Sequence, residues 1–98
     1  MTSCDRTDKK KFIVTDFSKK RIDTLIPYKD KSYAVFFIEV KGFSNDSIKI
    51  KRKDHYDIKL IGDIDTIVRY DYYGGNNVIV EFDPYKATEG NLEIEYNL

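Results

Sequence analysis

The residue types that could do chemistry gather in one stretch, Tyr70-Asp71-Tyr72-Tyr73-Gly74-Gly75-Asn76-Asn77. Tyrosine offers a flat apolar face and a polar tip at low entropic cost, which suits it to protein interfaces. Sugars stack on the same kind of ring. Gly-Gly-Asn-Asn supplies the positive φ angles of a tight hairpin, so the stretch reads as the tip between strands over 64–72 and 78–82. Period-two alternation puts Tyr70 and Tyr72 in one row with Ile64, Thr66 and Val68. The candidate partner-binding set is therefore Tyr70, Asp71, Tyr72, Tyr73, Asn76 and Asn77, shrinking to Tyr73 if that row is core. Tyr28, Tyr56 and Tyr85 are further aromatic candidates for the patch.

Catalytic groups are sparse. His55 is the only histidine and sits beside Asp54 in an expected hairpin turn, whereas a general base needs a partner and a pocket. Cys4 is the only cysteine, so no internal disulfide forms. It stands in a polar leading segment, where no folded environment would lower its pKa. Asp63 and Asp65, like Glu93 and Glu95, alternate along strands. Paired carboxylates serve glycosidases, but on an outer strand face they usually keep the sheet soluble. No Cys/His cluster suggests a metal. The expectation is a protein that is not an enzyme, with no catalytic residue, no cofactor and no metal site.

The chain has 98 residues, enough for one domain with a modest core. Seventeen basic residues balance 17 acidic ones, which argues against nucleic-acid binding driven by bulk charge. Eight tyrosines and six phenylalanines, with recurring Ile and Val and little Ala, favour strands over helices. The longest apolar run, residues 34–38, is far shorter than the ~20 residues of a membrane helix.

The elements that must position the tip follow from alternation and punctuation. Strands are expected over 12–17, 22–26, 33–41, 47–53, 56–61, 64–72, 78–82 and 91–98. The stretch 33–41 is apolar on both faces at its centre, the mark of a central strand buried on both sides. Ile48 and Ile50 face in, with Lys49, Lys51 and Lys53 facing out, and 47–61 reads as a hairpin. Val78, Val80 and Phe82 form one inward row, and Leu92, Ile94, Tyr96 and Leu98 another. One helical turn over 84–89 is limited by Gly90. Several strands at roughly ten-residue spacing imply an all-β, antiparallel fold, an immunoglobulin-like β-sandwich of about seven strands. Residues 1–10 read as a flexible leader and 11–98 as the single domain.

Thr2-Ser3-Cys4 resembles the end of a bacterial lipoprotein signal, where small residues precede a lipidated cysteine. Met1 stands where that pattern usually has leucine. The resemblance implies a lipid on Cys4, a tether over residues 5–11, and a place in the periplasm or at the outer membrane. The alternative is a cytoplasmic protein with a chance cysteine. Asp23-Thr24-Leu25, Asp46-Ser47-Ile48 and Asp65-Thr66-Ile67 resemble the O-glycosylation pattern of exported Bacteroidetes proteins. An Asp before a strand-starting Ser or Thr is also ordinary turn chemistry.

These readings lead to a non-enzymatic envelope protein that docks another protein, in the manner of immunity proteins and inhibitors. The alternatives are a carbohydrate-binding or surface accessory module and a purely structural envelope domain. No nucleic acid is expected, and the membrane enters only through the lipid on Cys4.

Overall fold

Alternation of β-branched or aromatic residues with charged ones carries almost every element of the chain. The computed structural model describes residues 7–53, 55–73 and 75–98. It contains β1 (Lys9–Val14), β2 (Arg21–Leu25), β3 (Val35–Arg52), β4 (Ile58–Asp71), β5 (Val78–Asp83) and β6 (Gly90–Asn97). All pairings are antiparallel. The start of β1 lies inside the segment expected as a leader, and Asp8 just before it is fully buried. Its carboxylate accepts a hydrogen bond from the Tyr33 hydroxyl at 2.9 Å and lies 3.7 Å from the Lys31 ammonium.

Six strands replace the expected seven or so, because two expected breaks do not break the ladder. Residues 42–46 and 62–63 look like turns, yet β3 and β4 run through them. Gly42 at φ 133° and a register shift between Ser44 and Ile48 absorb the irregularity as a bulge. The expected hairpin over 47–61 is thus only the far end of one long β3–β4 hairpin. No helical turn forms over 84–89.

The pairing also replaces the expected sandwich. The strands make one sheet, ordered β1-β6-β3-β5-β2, with β4 on the other edge of β3. β3 pairs with β6 from Phe37 to Ser44 and with β5 from Lys49 to Arg52. It bends between these halves, so the β6–β1 and β5–β2 parts turn their apolar faces on each other. The far ends meet where the Ile26 N–H donates to the Thr7 carbonyl at 2.7 Å. The sheet is nearly closed and barrel-like. Among the described residues nothing pairs with the outer edge of β4.

The core follows the inward rows: Phe12 and Val14; Leu25; Phe36, Ile38, Val40, Ile48 and Ile50; Val78, Val80 and Phe82; Leu92, Ile94 and Tyr96. β3 is central but not buried on both faces. Phe36, Ile38 and Val40 face in, while Val35 and Lys41 are exposed. The Tyr96 ring meets Phe12 edge-on at 5.5 Å. Its buried hydroxyl has no hydrogen-bond partner among the described residues, and burial raises its pKa.

Two variants test this account by urea denaturation. A Cβ on Gly42 would sit 2.0 Å from the Asn91 carbonyl oxygen, so Gly42→Ala should cost about 3 kcal/mol or more. Tyr96→Phe removes a buried unpartnered hydroxyl and should stabilise the fold by about 1 kcal/mol. A loss on Tyr96→Phe would mean that the hydroxyl is satisfied in solution.

Candidate functional site

At one end of the barrel the turn joining β3 to β4 comes up beside the turn joining β4 to β5. Arg52, Lys53 and His55 from the first, with Asn76, Asn77, Val78 and Ile79 from the second, line a cleft of about 380 Å³. Arg52 continues the inward row of Ile48 and Ile50, but at the mouth of the barrel rather than in its core. Its guanidinium lies 4.8 Å from the Tyr70 ring centroid and 4.9 Å from that of Phe36. Those two rings stack, with centroids 5.8 Å apart. Cation–π attraction to two faces holds the guanidinium in place while it remains half-exposed.

His55 completes this corner. Its Nδ1–H donates to the Lys53 carbonyl at 2.9 Å, and the Arg52 guanidinium approaches Nε2 at 3.4 Å. With the proton on Nδ1, Nε2 is left to accept from the guanidinium. The ring also packs edge-on against Tyr70 at 5.1 Å. His55 is thus exposed, as a turn-tip histidine should be, but engaged. Its sequence neighbour Asp54 lies outside the described residues, as does Gly74 at the tip.

The tyrosine-rich stretch divides. Tyr72 is buried; its ring meets Tyr33 edge-on at 6.1 Å, and its hydroxyl donates to the Asn76 carbonyl at 2.5 Å. Tyr70 is half-buried against Phe36. Burial raises the pKa of both hydroxyls, with Arg52 pulling the other way, so both stay protonated. Asp71, Asn76 and Asn77 are exposed, and Tyr73 is 81% exposed. Tyr72 therefore shapes the tip from inside, and Tyr73 and the amides present it.

Of the other tyrosines, Tyr28 joins this end. It lines a smaller cleft of about 240 Å³ with Tyr33 and Gly75. Tyr56 follows His55 and is 97% exposed. Tyr85 packs instead against Lys49, Lys59 and Lys86. Residues 1–6, including Cys4, lie outside the described residues. Of the three Asp-Ser/Thr sites, Thr24 is exposed, Thr66 half-buried and Ser47 buried.

The carboxylate and lysine rows find other partners. Glu93 pairs with Lys11 at 3.0 Å and Glu95 with Lys9 at 3.7 Å. Lys51 reaches Asp83 at 3.2 Å. The rows Lys49/Lys51/Lys53 and Glu93/Glu95 therefore do not face each other. Sequence reasoning missed Arg52 and Phe36 as site residues. The available signal was parity: an arginine ending an otherwise apolar inward row.

The Tyr72 hydroxyl bond predicts a measurable loosening. Tyr72→Phe should cost about 1 kcal/mol and speed amide exchange at residues 75–77. Unchanged exchange there would show that the tip is held by other contacts. No protein-family model matches the chain, and comparison with curated proteins gives no significant match.

Proposed function

We propose that this is a non-enzymatic binding protein of the bacterial envelope, docking another protein through the barrel end that carries Arg52, Tyr73, Asn76 and Asn77. One observation carries the reading. An arginine held over two aromatic rings stands at a cleft bordered by side-chain amides, with Tyr73 81% and Tyr56 97% exposed nearby. Arg and Tyr dominate interface energetics. A guanidinium already positioned also loses less side-chain freedom on binding. An immunity protein or inhibitor of this kind would occlude the site of a partner enzyme by inserting the Tyr72–Asn77 tip. A lipid on Cys4 would hold it at the envelope.

The exposed Tyr73 ring beside the Asn76 and Asn77 amides equally suits a sugar, which is the competing reading. Capture from the native envelope, paired with calorimetric titration of polysaccharides, separates the two. Tyr73→Ala should leave stability within about 0.5 kcal/mol and weaken the captured complex about tenfold or more. Saturable sugar binding lost in the same variant would replace docking with carbohydrate recognition. If neither ligand binds, the domain is structural.

A further inference from the structure

Tyr85 occupies a backbone position made for glycine. The Ala87 N–H closes a turn on the Pro84 carbonyl at 2.8 Å, and Tyr85, the first central residue of that turn, has φ 54°. Positive φ at this residue alone is the II′ pattern, where glycine is preferred. A bulky residue there is strained, and such strain often accompanies function. What it achieves is the placement of the ring, which stays 44% exposed.

Three ammonium groups surround that ring, at 4.1 Å for Lys49, 5.5 Å for Lys86 and 5.8 Å for Lys59. Lys49 and Lys59 are register partners on β3 and β4, so like charges oppose each other across the ladder, an unfavourable arrangement. Among the described residues none of the three makes an ion pair. The neighbouring carboxylate, Asp83, is already engaged. It accepts from the Tyr85 N–H at 2.8 Å and pairs with Lys51 at 3.2 Å and Lys20 at 4.0 Å. Burial alone would raise its pKa, but these partners outweigh that and hold it below the usual carboxylate range. Lys49 also faces Asp83 across the β3–β5 ladder, but Lys51 and Lys20 already hold that carboxylate, so positive charge stays in excess around one strained ring.

We infer that Tyr85, Lys49, Lys59 and Lys86 form a docking surface for an extended acidic segment of a partner protein. Charge complementarity requires an anion, and the geometry favours an extended peptide over a small ion. Lys49 and Lys51 follow Tyr85 along the outer face of β3, about 6.7 Å apart, the spacing of alternate residues in an extended chain, and Lys53 stands just beyond the strand's end. Carboxylates of such a segment meet the ammonium groups of Lys59, Lys49 and Lys86 around the ring, while Lys51 stays bridged to Asp83. Beside them, Ile22 and Ile79, 65% and 51% exposed, floor a groove edged by three cations, Lys51, Arg52 and Lys53, and one carboxylate, Glu81. The groove shares Arg52, Lys53 and Ile79 with the cleft at the barrel end, whereas Tyr85, Lys49, Lys59 and Lys86 line no part of that cleft, so substitutions at these four test this surface alone.

The test is an NMR titration of the full chain with a synthetic peptide of alternating glutamate and threonine. Its controls are the glutamine version of that peptide and inorganic phosphate. The glutamate peptide should give saturable, salt-sensitive shifts at residues 49, 59, 85 and 86, and the glutamine peptide none. Lys59→Glu places opposite charges across the β3–β4 ladder, so it should raise the melting temperature slightly while weakening the peptide about tenfold. Tyr85→Gly relieves the backbone, so it should melt at the same temperature or a few degrees higher, yet bind less well. Shifts centred elsewhere, or equal shifts from the glutamine peptide, overturn the proposal. Phosphate saturating the same residues as readily would also overturn it, in favour of a small-anion site. So would Lys59→Glu or Tyr85→Gly retaining full affinity.

Discussion

The structure depends on one strand serving two halves of a sheet. β3 pairs with β6 and then with β5 along the same edge, so it has to bend between them. The bend is held by backbone contact too close for side chains. A Cβ at Gly90 would lie 2.2 Å from the Phe43 carbonyl oxygen, as tight as the approach of Gly42 to Asn91. Asn45 fastens the other side: its side-chain oxygen accepts from the N–H groups of Thr88 and Glu89 at 2.9 and 3.1 Å. The Ser47 carbonyl accepts from Lys86 and Ala87 at 3.1 and 3.2 Å. The β5–β6 connection is therefore pinned across the bend, and this places Tyr85 over β3.

Closure is completed at the other side by a polar knot. The Thr7 N–H donates to the Tyr28 hydroxyl at 3.2 Å, and the Tyr28 N–H to the Tyr33 hydroxyl at 3.0 Å. The Tyr33 hydroxyl in turn donates to buried Asp8. A buried polar group left unpaired is costly, and this chain of bonds satisfies Asp8. The same Tyr33 ring packs on Tyr72, so the ring that supports the tip belongs to the knot that closes the sheet.

Much of this was legible in the sequence. The rows Val78/Val80/Phe82 and Leu92/Ile94/Tyr96 alternate with polar residues and are buried as alternation demands. The turn at 74–77 and the antiparallel all-β class follow from the same reading. What was not legible is non-local. A bulge and a turn use the same Gly, Ser, Asn and Asp residues, so 42–46 gives no local sign that the chain continues straight into β3. Period two is likewise shared by sandwiches and nearly closed barrels. Only the division of β3 between β5 and β6 separates them. At the site, period two left open whether Tyr70 and Tyr72 were core, and packing answered differently for each. Arg52 was hidden because its role needs the Phe36 and Tyr70 rings, brought together only by the β3–β4 ladder.

The outer edge of β4 adds a final consequence. Along its fourteen residues, the backbone groups that point away from β3 are covered by no described strand, an invitation to one more strand. Along its exposed row, Lys59, Asp63, Asp65, Arg69 and Asp71 interrupt Ile61 and Ile67. An incoming apolar strand would have to desolvate these charges. The sheet is thus bounded on this side by charge rather than by geometry, and added salt, which screens exposed charges, lowers that boundary without touching a single contact inside the fold.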